Sequence, residues 1–347
     1  MKIIHTEAHK LHAPQYEFNK DRMTPYSESP TRVEKILDAL QKSDFTQIIT
    51  PRQYPLEPIR AVHDADYIYY LENIYAAWIA EGGPEAGAIP HTFALRTMSK
   101  RPEKLVNQIG YYCFDAQTPI VQGTYEAALS STYCALTAAD MLLEGESAVY
   151  ALCRPPGHHA GHDIYGGYCY LNNAAIAAAR LSREARVAIL DIDYHHGNGT
   201  QEIFYDSSRV LFVSIHANPN RAYPFFSGFA DEHGVGAGSG FNHNFPLEAH
   251  VDEGRYLTVL VQAVELIQQF DPGFLIVSFG VDTFRDDPLG DFDLSLESFS
   301  HIGERIARMR FPTLLAQEGG YNLQALGEGV VKALSEFRPT RKTEVYE

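Results

Sequence analysis

The sequence has few cysteines, no long apolar stretch and a shortage of positive charge, and each shortage argues against a class of protein. Its four cysteines are Cys113, Cys134, Cys153 and Cys169. They lie far apart without a Cys-x-x-Cys pair, so the sequence predicts neither a disulfide framework nor a thiolate zinc site. No apolar run reaches the roughly 20 residues that a membrane-spanning helix needs. The first residues, Met1 to His5, lack the form of a signal peptide, so we expect a soluble cytoplasmic protein.

The balance of charge argues against nucleic acid as a partner. The chain has 28 Lys and Arg against 44 Asp and Glu, a formal net charge of −16, whereas phosphate binding needs a basic face. Such acidity would attract a cationic substrate by long-range steering. Taken alone, solubility or a salty habitat explains it more simply.

The 347 residues, 45% of them hydrophobic, are enough for one large α/β domain. Short apolar runs such as Val187–Leu190 alternate with stretches of helical period such as Thr31–Gln41. This alternation predicts one doubly wound, mostly parallel sheet flanked by helices, with its site along the carboxyl edge of the strands. We expect a single domain over residues 1–347, with an insertion at about 81–115 and a frayed tail after Arg338.

A glycine-rich stretch at residues 233–241 superficially resembles a nucleotide-binding loop. No strand leads into these glycines and Pro246 interrupts the next segment, so the context of a dinucleotide-binding motif is missing. We expect instead a loop that lines a pocket.

Polar side chains follow the apolar run Val187–Leu190 at the point where that strand should end. Asp191, Asp193 and His195 alternate along the chain, so they share one side of an extended backbone. A buried pair of carboxylates needs a positive partner, and a metal ion is the simplest one. Asp and His together suit zinc or a similar divalent ion better than calcium or magnesium. The alternative is a strand end followed by a solvated polar turn.

A third carboxylate stands at an equivalent place, since Asp282 comes just after the apolar run Phe274–Phe279. Carboxyl ends of parallel strands meet at one edge of a sheet, so Asp282 is a candidate third ligand beside Asp193 and His195. Three protein ligands with one open position are typical of catalytic zinc. Such a metal lowers the pKa of bound water and polarises a carbonyl, which suits hydrolysis of an amide or ester.

Two further groups could complete such a site. The pair His158 and His159 follows a predicted strand and can carry a proton near neutral pH. Tyr321 follows the last predicted strand on a Gly-Gly turn, and its phenol could donate to an oxyanion. Taken alone, Tyr321 would be explained by ordinary turn packing.

Together these motifs resemble the zinc-dependent histone deacetylase superfamily of arginase-like fold. The resemblance covers nearly the whole chain in the right order, through residues 154–161, 166–172, 191–199, 214–216, 280–287 and 318–322. Residues 11–17, 81–115 and 107–118 resemble more narrowly the bacterial acetylpolyamine amidohydrolases. The resemblance implies an eight-stranded sheet and zinc on Asp193, His195 and Asp282.

The resemblance also implies roles for the neighbouring side chains. His159 would be the general base and then the general acid, with His158 as its electrostatic partner. Tyr321 would clamp the scissile carbonyl. Asp191 would orient His158, and Asn198 would partner His159 where some family branches have Asp.

For the substrate, the resemblance implies a narrow acyl-chain tunnel walled by Gly167 and Tyr168, with Tyr223 opposite. The insertion at 81–115 would build a homodimer that narrows this tunnel, and acidic loop residues, of which Glu17 matches one, would meet the distal ammonium groups. Val106 and Gln117 stand where the pattern leads us to expect acids, which leaves the binding of long polyamines open. Structural potassium is implied at two places: Asp191, Asp193, His195, Ser214 and Ile215, and a second site near Phe204, Ser207 and Val210.

We therefore expect a zinc-dependent amidohydrolase that deacetylates acetylpolyamines or similar small N-acetylated amines. The alternatives are a protein (acetyl-lysine) deacetylase, an arginase-like hydrolase with two manganese ions, and a non-catalytic protein that binds acetylated ligands.

Overall fold

The computed structural model describes residues 1–19, 22–43 and 45–337. Within these residues one sheet has eight strands, in the order β4-β1-β5-β10-β9-β6-β7-β8, and β2 and β3 form a separate antiparallel hairpin. Every pairing in the larger sheet is parallel, which confirms the expected doubly wound fold. The strands are β1 Lys2–Ile4, β2 Tyr16–Asn19, β3 Arg22–Pro25, β4 Ile48–Ile49, β5 Ala148–Ala151, β6 Val187–Asp191, β7 Val210–Ala217, β8 Asn242–Leu247, β9 Phe274–Phe279 and β10 Thr313–Gln317.

Helices cover both faces of the sheet. They are α1 Thr31–Lys42, α2 Glu57–Arg60, α3 Ala65–Ala80, α4 Ile109–Tyr112, α5 Thr124–Leu143, α6 Asn173–Leu181, α7 Asn198–Phe204, α8 Glu253–Phe270, α9 Leu296–Ala307 and α10 Leu326–Ser335. Alternate residues of β6 point to opposite faces: Ala188 and Leu190 join the core beneath α1, α8, α9 and α10, whereas Val187 and Ile189 join the core beneath α5 and α6. Burial on both faces explains why β6 is an unbroken apolar run.

The structure differs from the sequence-based expectation in several connections. The hairpin of β2 and β3 has no counterpart among the elements predicted from the sequence. Residues 233–241 include a short 3-10 helix, Gly236–Gly238, that leads into β8, and they do not line the cavity of the candidate site. Pro246 does not prevent β8 because the strand lies at the edge of the sheet, bonded only to β7.

Among the described residues, no helix combines the length and the apolar character needed to cross a membrane. The tail expected to fray after residue 338 lies outside the described residues.

Candidate active site

The candidate site lies at the carboxyl edge of four neighbouring strands in the middle of the sheet, β5, β10, β9 and β6. The chain that leaves β5 carries the pair at 158–159, and the chain that leaves β6 carries Asp193 and His195. Asp282 follows β9 and Tyr321 follows β10. Four segments distant in sequence thus converge because their strands are parallel neighbours.

Three of the expected ligands form a compact donor set. The Nδ1 atom of His195 lies 3.2 Å from Oδ1 of Asp193 and 3.1 Å from Oδ2 of Asp282. One nitrogen or oxygen ligand atom from each residue lies within 4.8 Å of the other two. Gly319 packs directly against both carboxylates, and its N–H donates to Oδ2 of Asp193 at 2.7 Å, so a side chain at 319 would collide with them.

The chemistry of this donor set fits a divalent metal ion. Asp193 and Asp282 are 1% and 0% exposed, so two carboxylates share a space shielded from solvent. Burial and the neighbouring charge of Asp193 raise the pKa of Asp282 above its usual range. A cation bound between the carboxylates would offset this repulsion, and one nitrogen with two carboxylate oxygens suits zinc and its neighbours.

The adjacent histidines face different partners. Nδ1 of His158 lies 3.0 Å from Oδ2 of Asp191, so Asp191 contacts His158 and lies outside the donor set. Burial acts against a charge on His158, but the carboxylates of Asp191 and Asp193 outweigh it and raise its pKa to about 10. The expected partnership of His159 is also present, since its Nδ1 lies 2.7 Å from Oδ1 of Asn198.

The neutral form of His159 is favoured by its surroundings. Burial, followed by the charges of His158 and His195, lowers the pKa of His159 well below its usual range. The side-chain amide of Asn198 donates to the backbone oxygen of His159 at 3.3 Å, which leaves its Oδ1 facing the ring. Nδ1 of His159 therefore carries the hydrogen, and Nε2 is free to accept a proton. The neighbouring His196 does not join the site, because its ring packs 4.5 Å from that of His216.

Tyr321 is held at the site by Asp287, which lies in one of the matched motifs but has no role predicted from the sequence. Oδ2 of Asp287 accepts from the backbone N–H of Tyr321 at 2.7 Å and from that of Asn322 at 3.0 Å. Burial raises the pKa of Tyr321 well above its usual range, so the phenol keeps its proton and can donate it in a hydrogen bond. Glu318 also has no role predicted from the sequence. Its Oε2 accepts from the backbone N–H of Gly157 at 2.7 Å, next to the histidine pair 158–159.

A cavity of about 320 Å³ opens above these groups. Its lining includes the expected tunnel walls and also Gln117: Gln117, His159, Gly167, Tyr168, Tyr194, His195, Arg221, Ala222, Tyr223, Pro288, Leu289 and Tyr321. Asp115, which sequence reasoning also missed, links the two walls. Its Oδ2 accepts from the N–H of Gly167 at 2.7 Å and from the hydroxyl of Tyr223 at 2.9 Å.

Glu17 lies behind the wall instead of in the cavity lining. It is 1% exposed, and its carboxylate accepts from the hydroxyl of Ser27 at 2.9 Å and contacts Tyr168. Direct contact with a substrate ammonium group, expected for Glu17, would therefore need the side chain of Tyr168 to move. Val106 is also absent from the cavity lining.

The residues expected to bind potassium form two groups. Asp191 and Ser214 are paired on β6 and β7, with Ile215 next along β7. In the second group, the N–H of Ser207 donates to the backbone oxygen of Phe204 at 3.0 Å, and Val210 begins β7. Both groups remain predictions for potassium.

Comparison with known proteins identifies the family. The sequence model of the histone deacetylase domain family matches residues 26–337 of this chain. The chain belongs to the histone deacetylase family. Membership implies a metal-dependent deacetylase and agrees with the donor set of Asp193, His195 and Asp282.

Within the family the chain is similar to bacterial acetylpolyamine amidohydrolases. It is 43% identical to acetylpolyamine amidohydrolase 1 of Pseudomonas aeruginosa over 342 residues, which cover 97% of this chain and 99% of that relative. It is 42% identical to the acetylpolyamine amidohydrolase of Mycoplana ramosa, over 96% and 98% of the two chains. The crystal structure of the acetylpolyamine aminohydrolase from Burkholderia pseudomallei superposes with a TM-score of 0.93 at 37% identity, over 97% and 98% of the two chains.

Proposed function

We propose that this protein is a zinc-dependent deacetylase that hydrolyses acetylpolyamines or similar small N-acetylated amines to acetate and free amine. The observation that carries the proposal is the placement of a three-ligand donor set, a neutral histidine and a phenol around one cavity. The similarity to relatives named acetylpolyamine amidohydrolases supports this substrate class.

The proposed reaction is amide hydrolysis, and each residue of the site has its own role in it. Asp193, His195 and Asp282 would hold zinc, which when bound supplies a Lewis acid for the amide carbonyl and the attacking water. His159 accepts the proton of the water at Nε2 while Asn198 holds Nδ1. The same nitrogen then returns the proton to the departing amine.

Two further side chains assist the reaction, one at the carbonyl oxygen and one at His159. The phenol of Tyr321 donates a hydrogen bond to that oxygen. His158, kept cationic by Asp191, places a positive charge beside His159 and so favours its neutral, proton-accepting form.

The cavity can accept a linear amine. Tyr168 and Tyr223 offer aromatic walls to a methylene chain, and aromatic faces also attract ammonium groups. We propose in addition a homodimer through residues 81–115, structural potassium at the two groups above, a single domain over the chain and a cytoplasmic location. Leu95 and Met98, 60% and 65% exposed, support the dimer because they place apolar surface on the insertion.

A comparison of substrates on the zinc-loaded protein tests the proposal. We expect kcat/KM for acetylputrescine and acetylspermine to exceed that for an acetyl-lysine peptide by at least about tenfold. A clear preference for the peptide would instead support the protein deacetylase. Dialysis against a chelator should abolish turnover and added zinc should restore it, whereas recovery only with two manganese ions per chain would favour the arginase-like alternative.

A further inference from the structure

A second cluster of potential metal ligands lies outside the candidate active site, where β1 leads into the 3-10 helix Glu7–Leu11. His5, Glu7 and His9 each offer a ligand atom, and these atoms lie within 4.8 Å of one another. Nε2 of His5 is 3.1 Å from Oε1 of Glu7, and the two imidazole rings are 5.4 Å apart. The three residues follow the carboxyl end of a strand between β4 and β5.

The histidines of this cluster are buried, and both have ring nitrogens without a hydrogen-bond partner among the described residues. His9 is 2% exposed, and neither of its ring nitrogens has a hydrogen-bond partner among the described residues. His5 is 8% exposed, and its Nδ1 likewise has no partner within the described part of the chain. A buried imidazole without a hydrogen-bond partner destabilises the fold, so a ligand that bonds to it would stabilise the fold.

We propose that His5, Glu7 and His9 form a second binding site for a divalent transition ion of the zinc class. Two imidazole nitrogens and one carboxylate suit such an ion, and water can complete its coordination. Ligand atoms around tetrahedral zinc are roughly 3.3 Å apart, so the side chains need to close by only about 1.5 Å. Glu7 can make most of this movement because its side chain is 70% exposed.

Two cations near the cluster bear on its affinity. Nζ of Lys10 lies 2.6 Å from Oε2 of Glu7 and competes with a metal for that carboxylate. Lys10 is itself half exposed, so it can turn into solvent. The guanidinium of Arg154 donates to the backbone oxygen of His9 at 2.6 Å and lies 2.9 Å from Oε1 of Glu28. Because the same oxygen also pairs with Arg32 at 2.7 Å, Glu28 offsets only part of this positive charge, which lowers the affinity of the cluster for a cation.

A metal here would brace the segment that leads to the cavity. The residue after the 3-10 helix is His12, whose ring contacts the hydroxyls of Thr124 at 3.0 Å and of Tyr26 at 3.2 Å. Tyr26 packs against Tyr168 of the cavity wall with ring centroids 5.3 Å apart. The site is therefore structural, and its loss should leave kcat unchanged.

The test is the number of zinc ions per chain, measured on full-length protein without an affinity tag. The protein is stripped with a chelator, dialysed against Zn²⁺ and analysed by inductively coupled plasma mass spectrometry. We expect two ions per chain for the wild type and one for His9→Phe, which keeps a ring of similar size in the buried space. The control His301→Phe should still bind two, because His301 pairs with Glu253 at 2.8 Å on the surface without a third ligand among the described residues.

Two variants at exposed positions keep the test valid if His9→Phe fails to fold. Glu7→Ala should weaken the second ion by tenfold or more, and Lys10→Met should tighten it, while both keep wild-type kcat. One ion per chain in the wild type, or unchanged affinity in Glu7→Ala, would refute the site. Failure of the proposed deacetylase function would give a different result. The protein would then show no turnover, but the wild type would still bind one zinc ion more than His9→Phe.

Discussion

The hydroxyl of Tyr321 is the group whose removal should most cleanly separate catalysis from binding. Tyr321→Phe should lower kcat roughly 100- to 1000-fold, the usual effect of losing one oxyanion donor, with KM changed little. Steady-state kinetics on acetylputrescine measure both constants. Tyr75→Phe is a suitable control because the Tyr75 hydroxyl donates to a backbone oxygen outside the cavity lining. A variant with nearly full kcat would rule out the carbonyl clamp.

Asp115 acts through other residues, so its loss should affect the substrate site more than the chemical step. Asp115→Ala breaks the link from Gly167 to Tyr223, and we expect KM to rise about tenfold while kcat falls by less. Asp115→Asn keeps an acceptor oxygen and should restore most of the affinity. Equal loss in both variants, or a loss confined to kcat, would contradict this positioning role.

These residues also show what the sequence can and cannot predict at the site. Asp193, His195 and Asp282 were predictable because each stands where an apolar strand ends, and parallel strands bring such ends together. Asp115 gave no such indication. Its partners in the cavity walls are 52 and 108 residues away in the sequence, so these contacts depend on tertiary packing.

The same division holds for the helices and strands. Elements with a strong pattern were predicted to within a residue, as for the apolar run that forms β9 and the periodic stretch that forms α1. The strand β8 was missed because it contains a proline and follows a glycine-rich stretch. Only its position at the sheet edge makes that proline acceptable.

The start of α6 depends on a buried histidine, which predicts a pH dependence of stability. Nε2 of His63 accepts from the backbone N–H of Asn172 at 2.9 Å, and Asn172 caps the helix through Ala175. Burial lowers the pKa of His63 to about 4, against about 6.5 in the unfolded chain. The unfolded chain therefore binds more protons between these values, so this contribution is complete above pH 6.5 and is lost as the pH falls towards 4.

His63→Gln should remove this dependence while its amide oxygen still accepts from Asn172. When the pH falls from 6.5 to 4, the free energy of unfolding should decrease in both proteins. The decrease should be smaller in the variant than in the wild type, by on the order of 2 kcal/mol. Urea unfolding at several pH values measures the difference. The exposed His301→Gln serves as the control, and parallel curves for wild type and His63→Gln would refute the assignment.

The charge of the whole molecule should influence the rate at which substrates arrive. A net charge of −16 favours polycationic substrates at long range, and salt screens that attraction. We expect kcat/KM for acetylspermine to fall more steeply with ionic strength than that for acetylputrescine, and that for a neutral N-alkylacetamide to change little. The same slope for all three would show that the acidity serves another purpose.

The assembly of the molecule can be tested at the insertion. Leu95 and Met98 bond to each other through their backbones and expose 60% and 65% of their surface, which a second copy of the chain would cover. The double change Leu95→Glu and Met98→Glu should convert a dimer to a monomer in light scattering, because buried carboxylates would oppose association. It should also raise KM, since the insertion would no longer narrow the cavity from the partner side.

Val235→Glu is the matched control for this double change. Val235 is an apolar residue, 53% exposed, outside the insertion, and the variant should stay dimeric. A wild-type monomer, or a double variant that remains a dimer with unchanged KM, would remove the insertion from substrate selection and leave selectivity to the walls at Tyr168 and Tyr223.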